Sequence, residues 1–273
     1  MGTLYLVATP IGNLEDITLR ALRVLREASL IAAEDTRHTR KLLAHFDLHT
    51  PLTSYFEHNK ISKLDQILEA LNAGDVALVS DAGTPGLSDP GYELVRAALA
   101  VGHAVVPIPG PAALVAALVA SGLPTDAFLY LGFLPRKDSE RRDLLTSVAD
   151  EPRTLVAYEA PHRLNDALAD IEAVLGDRPV AVARELTKLH EEIFRGPASA
   201  ARAHFGEKEV LGEITLVIGG ASMLIEDKWD EARVWRSLEA LLEEGTKPKE
   251  AARFVADLSG WKTREVYKLI TDR

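Results

Sequence analysis

Residues 80–91 read Ser-Asp-Ala-Gly-Thr-Pro-Gly-Leu-Ser-Asp-Pro-Gly, directly after the apolar run Val76–Val79. A β-rich run that ends in a carboxylate, Asp81, and continues into a glycine- and proline-rich loop has the make-up of a rigid cradle for a small molecule. Glycine lets the backbone approach a ligand, and proline fixes the loop's shape. In open α/β sheets, ligands sit beyond the carboxyl ends of the strands, in loops of this kind. Other polar segments follow short apolar runs in the same way. Thr9-Pro10-Ile11-Gly12-Asn13-Leu14 reads either as a turn whose Asn13 caps a helix or as a backbone wall of a cleft. Glu34-Asp35-Thr36-Arg37 reads either as a capped helix start with a local Glu34–Arg37 pair or as two carboxylates and a guanidinium able to orient a hydroxyl or phosphate. His58, in Tyr55-Phe56-Glu57-His58-Asn59, could serve as a base, and Asn59 could cap the helix after it. Pro109-Gly110-Pro111-Ala112-Ala113 would open a helix with free N–H donors. Tyr158-Glu159-Ala160-Pro161-His162-Arg163 and Ala183-Arg184-Glu185-Leu186-Thr187-Lys188 add two more polar strand ends.

These residues need a scaffold that brings strand ends together, and the hydrophobic pattern predicts one. Strand-like runs at Thr3–Ala8, Leu30–Ala33, Val76–Val79 and Ala104–Ile108 alternate with helical patterns at Thr18–Glu27, Thr36–His45, Lys60–Asn72, Gly91–Ala100 and Ala112–Ser121. Such alternation implies βαβ units and a mainly parallel sheet. Gly122-Leu123-Pro124 marks a boundary. Beyond it, strands at Phe128–Phe133, Arg153–Tyr158, Val180–Arg184, Glu191–Phe194 and Glu213–Ile218, with helices between, suggest a second α/β domain of mixed sheet character. Ser222–Lys228 reads as a polar link to a helical tail that contains a helix–turn–helix pattern around Ser259-Gly260. The expected organisation is two α/β domains, 1–121 and 122–221, and a small C-terminal helical region, 222–273.

Composition narrows the chemistry. The chain has 273 residues, no cysteine and a formal net charge of −10. Disulfides, thiolate catalysis and Cys-ligated metals are therefore excluded. No apolar run reaches the ~18 residues of a membrane span. The N-terminus lacks the basic region of a signal peptide, so a cytoplasmic location is expected. There is no G-x-G-x-x-G after the first strand and no P-loop. Asp81-Ala82-Gly83-Thr84 has the outline of an aspartyl-phosphatase motif, but Gly83 stands where the second carboxylate would be.

In order and over about residues 3–220, the segments quoted above, with Gly132-Phe133-Leu134-Pro135, resemble the tetrapyrrole-methylase-like (class III) methyltransferases, and among them the enzymes that methylate small-subunit ribosomal RNA. Ser80–Gly86 together with Thr9–Leu14 is the specific part of that resemblance. It implies S-adenosylmethionine held in the interdomain cleft, 2′-O-methylation of a cytidine in 16S rRNA near the decoding centre, and a homodimer. It places the methyl donor against Ile11, Asp81, Thr84, Ala112, Ala113, Tyr158, Ala183 and Ile214. Ala112 and Ala113 stand where other class III enzymes often carry Ser or Thr. A ribose hydroxyl is a poor nucleophile until its proton leaves, and Glu34, Asp35 and His58 are the candidate bases. No metal is needed.

An acidic protein that acts on RNA needs a local basic surface. Arg136, Lys137, Arg141 and Arg142 form one candidate, with Asn13, Arg37 and Arg163 as further substrate contacts. The tail from Thr246 to Arg273 offers seven Lys/Arg against four acids. Two alternatives stay open: a small-molecule (tetrapyrrole-type) methyltransferase, and a non-catalytic ribosome-binding factor that retains a nucleoside pocket.

Overall fold

The computed structural model describes residues 2–206, 210–221, 229–243 and 245–271. The first half runs β1 (Thr3–Val7), α1 (Leu19–Glu27), β2 (Leu30–Ala33), α2 (Thr36–His45), β3 (Leu52–Ser54), α3 (Leu64–Ala73), β4 (Val76–Val79), α4 (Tyr92–Ala100), β5 (Ala104–Ile108) and α5 (Ala113–Ala120). Its strands pair in the order β3-β2-β4-β1-β5, every pair parallel. Alternate β4 side chains serve opposite faces. Ala77 and Val79 pack with Val24 and Leu25 of α1, whereas Val76 and Leu78 pack with Ile67 and Leu71 of α3 and Leu94 of α4. Helices cover both faces, which is why β4 reads as an unbroken apolar run. Thr18 and Asp35 start α1 and α2, their side chains accepting the amides of Ala21 and Arg37.

The second half comprises β6 (Phe128–Phe133), α6 (Asp138–Ser147), β7 (Thr154–Glu159), α7 (Leu164–Leu175), β8 (Pro179–Arg184), β9 (Glu192–Pro197), α8 (Ala198–Gly206) and β10 (Ile214–Ile218). The sheet order is β6-β7-β10-β8-β9, with β6 parallel to β7 and the other pairs antiparallel. One face packs on α6, α7 and α8 through residues such as Leu145, Ile171 and Phe205. The opposite face packs on α5, where Leu114, Ala117 and Leu118 meet Val156, Ala181, Ala183 and Val217. The α5 helix thus belongs in sequence to the first sheet but is buried against the second, and it fixes the two halves face to face. This is the two-sheet α/β architecture that the alternation of elements implied, with the cleft that the family resemblance implied.

The tail folds as α9 (Glu231–Glu243), α10 (Pro248–Ser259) and α11 (Thr263–Thr271) around Val234, Leu238, Val255 and Val266. Gly260, between α10 and α11, takes φ +67°. The proposed polar link Ser222–Lys228 lies outside the described residues. Two local expectations need correction. The helix expected from Lys60 begins at Leu64, because Lys60 bridges Glu57 at 2.8 Å and Glu93 at 2.6 Å within a turn. Asn59 does not cap that helix; its Oδ1 accepts from the Phe56 amide and its amide group donates to Ser54 Oγ. No helix among the described residues is long and apolar enough to cross a membrane.

Candidate active site

The loops after β1, β2, β4 and β5 leave the same edge of the first sheet and are tied to one another. Thr9 and Gly83 exchange two backbone hydrogen bonds of 2.9 Å, and Thr9 Oγ1 donates to Ser80 O. Gly83 sits at φ +78°, where a side chain would be strained. The Asp35 amide donates to Asp81 Oδ1 at 2.9 Å, and the Asp81 amide donates to Glu34 Oε2 at 3.2 Å. Thr84 Oγ1 donates to Pro111 O at 3.2 Å. Four loops distant in sequence therefore act as one rigid rim.

The second sheet faces this rim. Tyr158, near the end of β7, accepts the Leu114 amide at the start of α5 on its hydroxyl at 3.2 Å. Tyr130 and Ser88 share a 2.6 Å hydrogen bond across the cleft. The loop after β8 presses against Gly12: a Cβ there would lie 2.5 Å from Lys188 Cγ, 2.8 Å from Thr187 Oγ1 and 3.0 Å from Leu186 O. Glu185 and Thr187 hold positive φ in that loop, the kind of strain that persists where surrounding contacts over-determine the backbone.

Between the two halves lies a cavity of about 240 Å³. Ile11, Glu34, Asp81–Thr84, Leu87–Asp89, Ala112 and Ala113 line it from one side, and Phe133, Tyr158, Glu159 and Glu213–Thr215 from the other. Its walls carry the carboxylates of Glu34, Asp81, Asp89, Glu159 and Glu213. Burial, reinforced by the charge of Glu34, pushes the Asp89 carboxyl up to about 7. Burial also raises Glu34 and Glu159, and pushes the Tyr158 phenol up to about 12. Glu159 Oε1 takes the Ala160 amide at 2.6 Å and Arg163 Nη2 at 2.5 Å; its buried Oε2 has no hydrogen-bond partner among the described residues. A cavity with this lining repels anions and favours a cation that brings its own hydrogen-bond donors.

A second hollow, about 380 Å³, opens beside the first. Thr9–Gly12, Leu14, His38, Thr39, Lys41, Leu42, Ser80 and Lys188 line it, and it shares Ile11, Asp81, Ala82 and Glu213 with the cavity.

The cavity gathers seven of the eight residues expected at the methyl donor: Ile11, Asp81, Thr84, Ala112, Ala113, Tyr158 and Ile214. Ala183 is the exception. Its side chain packs under α5, and its backbone sits in the sheet between Thr215 and Ile193, so it does not line this cavity. Of the three candidate bases, only Glu34 lines the cavity. Asp35 is bound on both oxygens by Arg37, which holds its carboxyl well below the usual range. Asp35, His38 and Asp81 bring donor atoms within 4.8 Å of one another, but that guanidinium already closes the group. His58 lines neither hollow.

The expected substrate contacts divide similarly. Arg136 and Lys137 are exposed, Lys137 pairing with Glu140. Arg37 is spent on Asp35, Arg163 on Glu159, and the Asn13 side chain on the Glu15 amide. Arg141 corrects the idea of a four-residue basic patch. Its side chain is 2% exposed and binds Asp170 at 2.6 Å, Asp138 at 2.9 Å and Pro135 O at 3.5 Å, so it cannot reach a phosphate. Arg142 shares Asp170 with it. Residue types alone did not single out Asp89, Glu159, Glu213 or His38. Asp89 lies in the same glycine–proline loop as Asp81, and its position there was the one available signal.

A parallel sheet and a mixed sheet meeting across an acidic cleft is the build of a tetrapyrrole-methylase-type methyltransferase. The family model described as Tetrapyrrole (Corrin/Porphyrin) Methylases matches residues 3–202. Two solved structures share the fold. The methyltransferase CobJ aligns with TM-score 0.59 at 20% identity, over 81% of this chain and 95% of its own. The uroporphyrin-III C-methyltransferase of Thermus thermophilus, complexed with S-adenyl homocysteine, aligns with TM-score 0.55 at 23% identity, over 81% and 98%. Sequence relatives are more specific. The ribosomal RNA small subunit methyltransferase I of Synechocystis sp. is 49% identical over 98% of this chain and 97% of its own length, and that of Escherichia coli O157:H7 is 49% identical over 98% and 94%. The chain belongs to the ribosomal RNA small subunit methyltransferase I family.

Proposed function

We propose that this protein methylates the 2′-oxygen of a cytidine ribose in 16S rRNA of the small ribosomal subunit, with S-adenosylmethionine as methyl donor. The observation that carries the reading is the acidic interdomain cavity, built from the segments that mark the family. A sulfonium donor is a cation with an ammonium group and an adenine amine, and the lining suits it: carboxylates on both sides, and a buried carboxylate oxygen of Glu159 that lacks a donor. When bound, the donor supplies an electrophilic methyl group for in-line displacement. Asp81 and Thr84 take the polar end of the donor, and Tyr158, Ile214 and the backbone at Ala112–Ala113 take the nucleoside. Glu159, held by Arg163, offers Oε2 to a donor N–H. The rim's cross-links fix these groups before the donor arrives, so little reorganisation accompanies the reaction and much of the rate comes from alignment.

A cytoplasmic location fits that substrate, since ribosomal subunits mature there. A homodimer accounts for exposed apolar side chains one turn apart on α5, Val115 at 51% and Val119 at 67% exposure. The reading is tested by incubating the protein with tritiated S-adenosylmethionine and 30S subunits, naked 16S rRNA or a tetrapyrrole. Label on rRNA is expected. Label on the tetrapyrrole alone would overturn it.

A further inference from the structure

The donor cavity accounts for one of the two hollows. The other opens on the loop after β1 and on α2, and the two meet at Asp81, whose Oδ2 lies 3.4 Å from His38 Nδ1. We infer that this second hollow receives the acceptor nucleotide and that His38, oriented by Asp81, is the base that takes the proton of the 2′-hydroxyl. The inference rests on the function proposed above and adds the acceptor side of the same reaction.

The placement follows from the shared wall. A methyl group passes directly between its two partners, so the donor and acceptor sites must adjoin. The two hollows do, sharing Asp81, Ala82, Ile11 and Glu213. The second hollow shares the carboxylates of Asp81 and Glu213 with the cavity and adds two cations the cavity lacks, Lys41 from α2 and Lys188 from the loop after β8. Lysines there suit the phosphates that flank a nucleotide in an RNA chain. Lys188 is shared with Glu185 at 2.7 Å, and Lys41 is exposed to solvent.

The positions of the other candidate bases favour His38. Glu34 lies in the donor cavity, where burial favours its protonated form and the Asp81 amide occupies one oxygen. Arg37 occupies Asp35. Asp89 lies on the donor side alone, and His58 lines neither hollow. His38 lines the acceptor hollow with one nitrogen facing a carboxylate. With its proton on the nitrogen that faces Asp81, the imidazole has its Nε2 lone pair free to accept the hydroxyl proton. In the step, the ribose O–H proton passes to Nε2 while the oxygen forms a bond to the methyl carbon. The carbon–sulfur bond breaks, its electron pair stays on sulfur, and the positive charge leaves the sulfonium and appears on His38. Asp81, Asp35 and Glu213 face that charge as anions, and Lys41 and Lys188 as cations.

The test uses H38Q, K41A and K188A in the full chain, with 30S subunits and tritiated S-adenosylmethionine. His38 is exposed, and donor affinity by calorimetry reports whether the fold and the cavity are intact. H38Q should lower kcat about 100-fold or more and leave donor Kd within about twofold. K41A and K188A should weaken subunit binding and each reduce its salt slope by about 1. If H38Q retains kcat within about threefold, or changes only KM, His38 is not the base. If both lysine variants bind subunits with unchanged affinity and slope, the hollow is not the acceptor site. Wild-type protein that labels no RNA would instead refute the proposed function, so the two failures are distinct.

Discussion

Substituting Gly12 by alanine tests how the cleft is closed. Gly12 does not hold a positive φ, so its backbone accepts alanine without strain. The cost lies across the cleft, where the new Cβ would come within 2.5 Å of Lys188 Cγ, 2.8 Å of Thr187 Oγ1 and 3.0 Å of Leu186 O. The lysine stem can swing aside cheaply. Thr187 holds positive φ, and Leu186 lies between it and Glu185, which does too, so the threonine and the carbonyl have little freedom to move. Overpacking of this kind costs about 1–3 kcal/mol; with one of three contacts relieved, about 2 kcal/mol is expected. Because the clash opposes docking of the second half on the rim, it should appear as donor affinity: about 30-fold in Kd, at 1.4 kcal/mol per tenfold. Calorimetric titration with S-adenosylmethionine measures it. T187A alone should be nearly neutral, since Thr187 Oγ1 is buried without a hydrogen-bond partner among the described residues. G12A/T187A should recover at least half the loss, a coupling expected only of groups in contact. Undiminished donor affinity in G12A, or no recovery in the double variant, would refute this account of the cleft.

Two further outcomes follow from the buried charges. R141M should lower stability by about 3 kcal/mol, because it leaves Asp170 buried with only Arg142; R136A should change it by less than about 0.5 kcal/mol, and chemical denaturation of each variant decides the point. Asp89 gives a pH signature. The folded carboxyl keeps its proton up to about 7, whereas an unfolded aspartate loses it near pH 4. The folded state therefore binds more protons in this window, and stability falls as pH rises through it. In the donor-free protein, the Tm of D89N should exceed that of wild type by a margin that grows from pH 4 to pH 8, and a margin independent of pH would contradict the burial argument.

The alternation of strands and helices was legible because β2 and α2 are local objects, bounded by side chains such as Asp35 that cap their own neighbours. The glycine–proline loop was legible as a cradle for the same reason. What stayed hidden was pairing at a distance. Arg141 and Arg142 look like a basic patch until Asp170, 29 residues from Arg141, claims both. Ala183 looks like a cleft residue until α5, from the other half of the chain, covers it. His38 stands one residue beyond Glu34–Arg37 and acquires its setting from Asp81, which only the parallel pairing of β2 and β4 brings alongside. A sequence shows which groups are present; which of them are already satisfied is a property of the fold.

The most direct test of the central claim is the chemical identity of the product. 30S subunits labelled by this protein with tritiated S-adenosylmethionine should be digested to nucleosides and separated by chromatography. The account predicts that the label co-elutes with 2′-O-methylcytidine, as a ribose hydroxyl activated beside Asp81 requires. Label in a base-methylated nucleoside, or none in the RNA, would contradict it.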